Sequence, residues 1–171
     1  MKFKVNLAWE DIIQFQIFHT MNTTMNKWLK YLFLIVGIVL ISISLMGLIL
    51  IDIGIIYIIC CIIGIITLIF PFTFYPLLVK YIVISSIPKD SIKHMIGTNI
   101  YELGEKRISI KTELTYGEMD YKVIKRFVNE KDYLYIYNTS ISALVIPKRD
   151  LDNEVIQKII TSLERKMNSM E

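Results

Sequence analysis

Tyr31 to Val79 reads YLFLIVGIVLISISLMGLILIDIGIIYIICCIIGIITLIFPFTFYPLLV and carries one formal charge, Asp52, near its middle. The runs on either side, Tyr31–Ile51 and Gly54–Val79, each exceed the roughly 20 apolar residues that cross a bilayer's hydrocarbon core as a helix. A buried helix of a soluble protein rarely stays apolar on every face for so long. The stretch therefore reads as two transmembrane helices joined by a tight turn at Asp52-Ile53-Gly54. Asp52 lies between the spans beside Gly54, which makes it a turn residue at the outer surface rather than an ion-pathway group.

The flanks orient this hairpin. Lys27 and Lys30 precede it, Lys80, Lys89 and Lys93 follow it, and the turn holds no Lys or Arg. The positive-inside rule puts both termini in the cytoplasm. Trp28 and Tyr31 open the first helix, and Phe72, Phe74, Tyr75 and Tyr81 close the second, as one aromatic belt should. Pro71 and Pro76 are expected to kink or end the second helix. Gly37, Ser42, Ser44, Gly47, Gly54 and Gly64 offer small residues for close helix contact, without a GxxxG. Cys60 and Cys61 are adjacent within the second helix, a poor disulfide pair and inert packing residues. No signal peptide is expected in Met1–Lys30, which lacks an apolar core before a small-residue cleavage site.

The net charge of +3 divides as +2 over residues 1–30, −1 over the hairpin and +2 over residues 80–171. No segment is basic enough to argue for nucleic acid. The fold class is an α+β membrane protein. Its expected segments are 1–30, a strand and an amphipathic helix; 31–79, the hairpin; 80–97, a linker helix; and 98–171, a cytoplasmic antiparallel β domain with a C-terminal helix.

In the first segment Phe3, Val5 and Leu7 alternate with Lys2, Lys4 and Asn6, a strand with one buried face. A helix follows from about Ala8 to Met21, with Asn6 as N-cap and Glu10 and Asp11 in the dipole-favoured first turn. Trp9, Ile12, Ile13, Gln16, Ile17 and Met21 form its stripe. The helix either lies on the membrane surface or packs on the soluble domain. A polar face poor in Lys and Arg favours packing. Ser86-Ile87-Pro88-Lys89-Asp90 reads as a helix start with Pro in the first turn, and Gly97 as the stop.

From Thr98 the period is two. Short strands run through Ile100–Leu103, Ile108–Ile110, Glu113–Asp120 around Leu114 and Tyr116, Tyr133–Tyr137 and Ala143–Ile146, the last stopped by Pro147. Val123, Ile124, Phe127 and Val128 make a further element. This is an antiparallel meander, not a set of βαβ units. In Tyr133–Tyr137 the tyrosines face away from the aliphatics, to line a groove or to pack under a neighbouring helix or the N-terminal strand. A last helix, from about Asp150 to Met167, carries the stripe Leu151, Val155, Ile156, Ile159, Ile160, Leu163 and Met167, which must be buried on the sheet.

Trp9-Glu10-Asp11, Phe18-His19, Glu102-Leu103 through Ile108, and above all Tyr121 to Asp150, with Lys131-Asp132-Tyr133-Leu134-Tyr135 and Ile146-Pro147-Lys148-Arg149, resemble the YcxB-like family of bacterial membrane proteins. The resemblance covers nearly the whole chain. It implies a cytoplasmic domain similar to a pleckstrin-homology (PH) barrel and a bacterial cell-membrane location. It brings no catalytic or ligand-binding set.

No Walker loop, GxGxxG, HExxH, CxxC pair or GxSxG occurs, and His19 and His94 are isolated in the sequence. No catalytic residue, cofactor or metal is expected. Lys122, Lys125, Arg126, Lys148 and Arg149 together make a candidate surface for anionic lipid headgroups or a protein partner, against a solvated edge interspersed with Glu130, Asp132 and Asp150. The best functional expectation is a membrane-anchored, non-enzymatic interaction or scaffold module, with oligomers allowed. The alternatives are a bacteriocin self-immunity protein, or a subunit of a transporter or other membrane complex.

Overall fold

The computed structural model describes residues 1–50 and 54–168. The expected turn at Asp52-Ile53 lies outside the described residues. The chain divides into two compact units, Met1–Phe15 with Ile87–Glu171, and Gln16–Ser86. Residues 1–30 are thus shared between the units.

The first unit is built on two antiparallel sheets. One has four strands in the order β1 (Lys2–Leu7), β2 (Gly97–Leu103), β3 (Arg107–Lys111) and β4 (Tyr116–Asp120). The other has three: β5 (Arg126–Asn129), β6 (Tyr133–Tyr137) and β7 (Ala143–Pro147). The meander read from the sequence is therefore split in two. The break falls at a 3-10 turn, Tyr121–Val123, closed when the Asp120 side chain accepts the Lys122 N–H. β1 pairs with β2 along its whole length, from Lys2 opposite Glu102 to Leu7 opposite Gly97. Strands adjacent in the sheet are thus far apart in sequence.

The alternation in β1 holds: Phe3, Val5 and Leu7 are buried, and Lys2, Lys4 and Asn6 are exposed. With Tyr101, Ile108, Leu134, Ile136 and Ile146, Phe3 and Val5 belong to one apolar core. Helix α4 (Asn153–Asn168) closes that core with Ile156, Ile159, Ile160 and Leu163, all buried as the stripe required. Truncating such an Ile to Ala costs on the order of 2–5 kcal/mol.

β6 departs from one-sided alternation. Its aliphatics enter the core, yet Tyr135 and Tyr137 are equally buried. Their cover is helix α1 (Trp9–Asn22), whose Phe15 ring lies 5.3 Å from Tyr135 and 5.8 Å from Tyr137. Within this unit α1 thus packs on the sheet. It does so through Asp11 and Phe15, four residues apart on one helical face; Ile12 and Ile13 are buried as well.

Three local expectations need correction. Asn6 does not cap α1: it is still in β1, opposite Thr98. Instead Asp11 accepts the Ala8 N–H at 2.7 Å and satisfies the helix start from inside. The linker is not a regular helix over 80–97. Residues 80–86 belong to the preceding long helix, only Lys89–Ile92 form a 3-10 turn, and Pro88 precedes that turn rather than lying in it. Gly97 opens β2 at φ +113°, a conformation that glycine tolerates and side chains resist.

The second unit holds α2 (Thr24–Leu50) and α3 (Ile55–Ser86), both long and apolar enough to cross a membrane. Only 17% and 11% of their apolar windows are buried, so their apolar side chains mostly face outward. They touch each other through small residues. A Cβ on Gly64 would come within 3.1 Å of the Gly37 carbonyl and 2.7 Å of Ile41, and one on Gly47 would strike the Tyr57 ring. Ser42 takes no such part: it is exposed, its hydroxyl bonded to the Ile38 carbonyl. α3 also runs through Pro71 and Pro76. Each proline deletes one backbone bond, but the rest of a 32-residue helix carries the segment past both.

Candidate functional site

A buried carboxylate organises one end of the three-stranded sheet. Asp11 is 1% exposed, and a charge so placed must be paired and hydrogen-bonded. Arg149 supplies the pair in bidentate form, Nη1 to Oδ1 at 2.6 Å and Nη2 to Oδ2 at 2.7 Å. The Tyr133 hydroxyl donates to Oδ1 at 2.9 Å, and the Ala8 N–H completes the shell. Arg149 Nη2 also donates to the Asn6 carbonyl at 2.9 Å, and the Asn6 N–H donates to Asp150 Oδ2 at 2.7 Å. The turn Lys148–Asp150 is thereby fastened to β1 and α1 at once.

Burial pushes the Asp11 carboxyl up, but the Arg149, Ala8 and Tyr133 donors outweigh it and hold it below its ordinary value. Tyr133 is pushed up to about 12 by burial and then by the Asp11 carboxylate. It therefore stays a neutral donor at physiological pH. Hydrogen bonding to Asp11 raises Arg149, which stays charged.

Beside this cluster lies an open cleft of about 620 Å³, lined by Gln14, Tyr133, Asn153 and Gln157 together with Lys131, Asp132, Lys148 and Arg149. Its polar side chains can donate and accept hydrogen bonds. Its cations are largely engaged within the protein, however. Lys148 Nζ donates to Asn129 Oδ1 at 2.6 Å and to the Glu130 carbonyl, and Arg149 is held by Asp11. Among the described residues no group of three or more His, Cys, Asp or Glu is placed to hold a metal ion.

The basic residues singled out in the sequence fall at two ends of the sheet. Arg126 stands opposite Tyr137, which stands opposite Ala143, and the Lys125 N–H donates to the Tyr137 carbonyl at 2.9 Å. At the other end Tyr133 stands opposite Pro147, directly before Lys148 and Arg149. At about 3.3 Å per residue, even the short β5 separates these ends by roughly 10 Å. Lys122, Lys125 and Arg126 are exposed, and the Arg126 guanidinium rests 4.4 Å from the centroid of the Tyr137 ring.

The sequence reading missed the Asp11–Arg149 pair. Both residues were visible, one as a dipole-favoured acid and the other as surface charge. The available signal was that each lies in a motif carrying the family resemblance, Trp9-Glu10-Asp11 and Ile146-Pro147-Lys148-Arg149.

The model of a family described as YcxB-like protein matches residues 103–161, about a third of the chain, in agreement with the resemblance. The match runs from the end of β2 into α4 and so includes Tyr133 and Arg149 but not Asp11. No curated protein and no solved structure matches the chain.

Proposed function

We propose that this chain is a membrane-anchored interaction module of the bacterial inner membrane. On this reading α2 and α3 cross the bilayer as a hairpin, and both termini are cytoplasmic. The two-sheet unit is a PH-like domain that binds a partner, a lipid headgroup or another membrane protein, without turning over a substrate. The pairing of β1 with β2 carries the reading. The segment holding both apolar helices leaves one strand and returns to its neighbour, so its two ends lie on one side of any bilayer. An even number of crossings is then required, and two helices supply it. The side follows from Lys27, Lys30, Lys80, Lys89 and Lys93.

Sheets of four and three antiparallel strands with an amphipathic C-terminal helix on the core support the PH-like assignment. The non-enzymatic part has a physical basis in the candidate site. Its one buried carboxylate is held ionised by four donors and is poorly suited to proton transfer near neutral pH. The test is a pair of full-length fusions after Glu171, one to alkaline phosphatase and one to a fluorescent protein. A bright fluorophore and an inactive phosphatase are expected. An active phosphatase with a dark fluorophore refutes the orientation.

A further inference from the structure

We propose that the end of the three-stranded sheet carrying Ile141 docks on the bilayer: Ile141 and Val123 enter the interfacial layer of an anionic leaflet, while Lys122, Lys125 and Arg126 meet its phosphates. This rests on the membrane-anchored reading and adds which surface touches lipid, and with which residues.

Ile141 sits in the turn between β6 and β7 and is 69% exposed. Single exposed aliphatics are common and by themselves mean little. This one is held outward. The Thr139 hydroxyl accepts the Ile141 N–H at 3.3 Å and the Ser142 N–H at 2.9 Å, which fixes the turn and keeps the side chain from folding back.

The register brings a second segment to the same end, because Lys125 and Arg126 bond with or stand opposite Tyr137, where β6 enters that turn. Val123, just before them, is 47% exposed. Neither Tyr121–Asn129 nor Asn138–Pro147 contains an Asp or Glu. The adjoining Asp120 is turned to the Lys122 backbone N–H. Three exposed cations and two exposed aliphatics thus lie on the two segments that meet at Tyr137, with no carboxylate in either segment. That combination suits an anionic lipid interface, where apolar insertion and headgroup attraction add. The turn at Leu114 makes the contrast: it is 77% exposed but lies next to Glu113 and near Glu118.

The test uses the full chain with Cys60→Ser and Cys61→Ser, reconstituted in nanodiscs of phosphatidylcholine with or without phosphatidylglycerol. Single cysteines at Ile141, Leu114 and Ile43 carry an environment-sensitive dye, and lipids bearing a nitroxide quench it. The Ile43 label should be quenched in both lipids. The Ile141 label should be quenched at least about threefold more with phosphatidylglycerol than without, as expected when several basic residues each gain headgroup attraction. The Leu114 label should stay aqueous. Replacing Lys122, Lys125 and Arg126 with Gln should abolish the gain. Quenching at Ile141 that ignores phosphatidylglycerol, or never exceeds that at Leu114, overturns the docking surface and leaves the anchor standing. Failure to quench Ile43 overturns the anchor, and the docking surface with it.

Discussion

The two ends of β6 treat their positive charges in opposite ways. At Tyr133, Arg149 and Lys148 turn inward and are used up on Asp11, Asn6, Asn129 and Glu130. At Tyr137, Lys125 and Arg126 stay exposed, and the Arg126 guanidinium rests over the Tyr137 ring and is hydrogen-bonded to that side chain. The same residue types therefore serve assembly at one end and remain available at the other. What separates them is a buried carboxylate. Asp11 cannot be left uncompensated, so the cation that reaches it becomes part of the fold.

Breaking the inward end should have the largest effect. Arg149→Ala strands Asp11 and should cost about 2–4 kcal/mol, below a fully buried pair because the Arg149 side chain is 49% exposed. Urea unfolding of the nanodisc-bound chain, followed by tyrosine fluorescence, would measure it. Tyr133→Phe removes one donor to the carboxylate and keeps the ring on Tyr135, so about 1–2 kcal/mol is expected in the same assay.

Acid should weaken the same end. Asp11 has a lower folded than unfolded pKa, so its contribution is complete above the unfolded value near 4 and is lost as pH falls through the folded value. Asp11→Asn should therefore flatten the acid limb of a stability-versus-pH curve, and an unchanged limb would contradict the assignment. The smallest effect belongs to the outward end. Arg126→Ala should change stability by about 1 kcal/mol or less, because a cation–π contact made by an exposed cation contributes little. A loss as large as that of Arg149→Ala would erase the contrast between the ends.

Periodicity made most of this fold legible. Phe3-Val5-Leu7 and the stripe of α4 are one-faced, and the pattern gives the buried face directly. β6 was readable only in part. Its aliphatics declared a core, and its tyrosines suited either a groove or a cover, but no local signal named α1 as the cover. The Asp11–Arg149 pair was harder still, since its members lie 138 residues apart and each has an ordinary local role. Pro71 and Pro76 misled for another reason. Of the two outcomes expected there, a kink or an end, the end does not occur, because a long helix loses one bond at each proline and continues. Splitting Lys122, Lys125 and Arg126 from Lys148 and Arg149 required the strand register, which composition does not carry.

The insertion between β1 and β2 also sets a timetable. Leu7 leaves the ribosome long before its partner Gly97 is made. At about 5–20 residues per second, β1 waits on the order of 5–20 s without the strand that completes its hydrogen bonds. Throughout that interval it is a bare edge, with Phe3, Val5 and Leu7 on one side. Lys2 and Lys4 occupy the other positions, the kind of charge that keeps an unpaired strand from recruiting the wrong neighbour. The lysines that look idle in the finished sheet are, on this schedule, guards for a nascent chain.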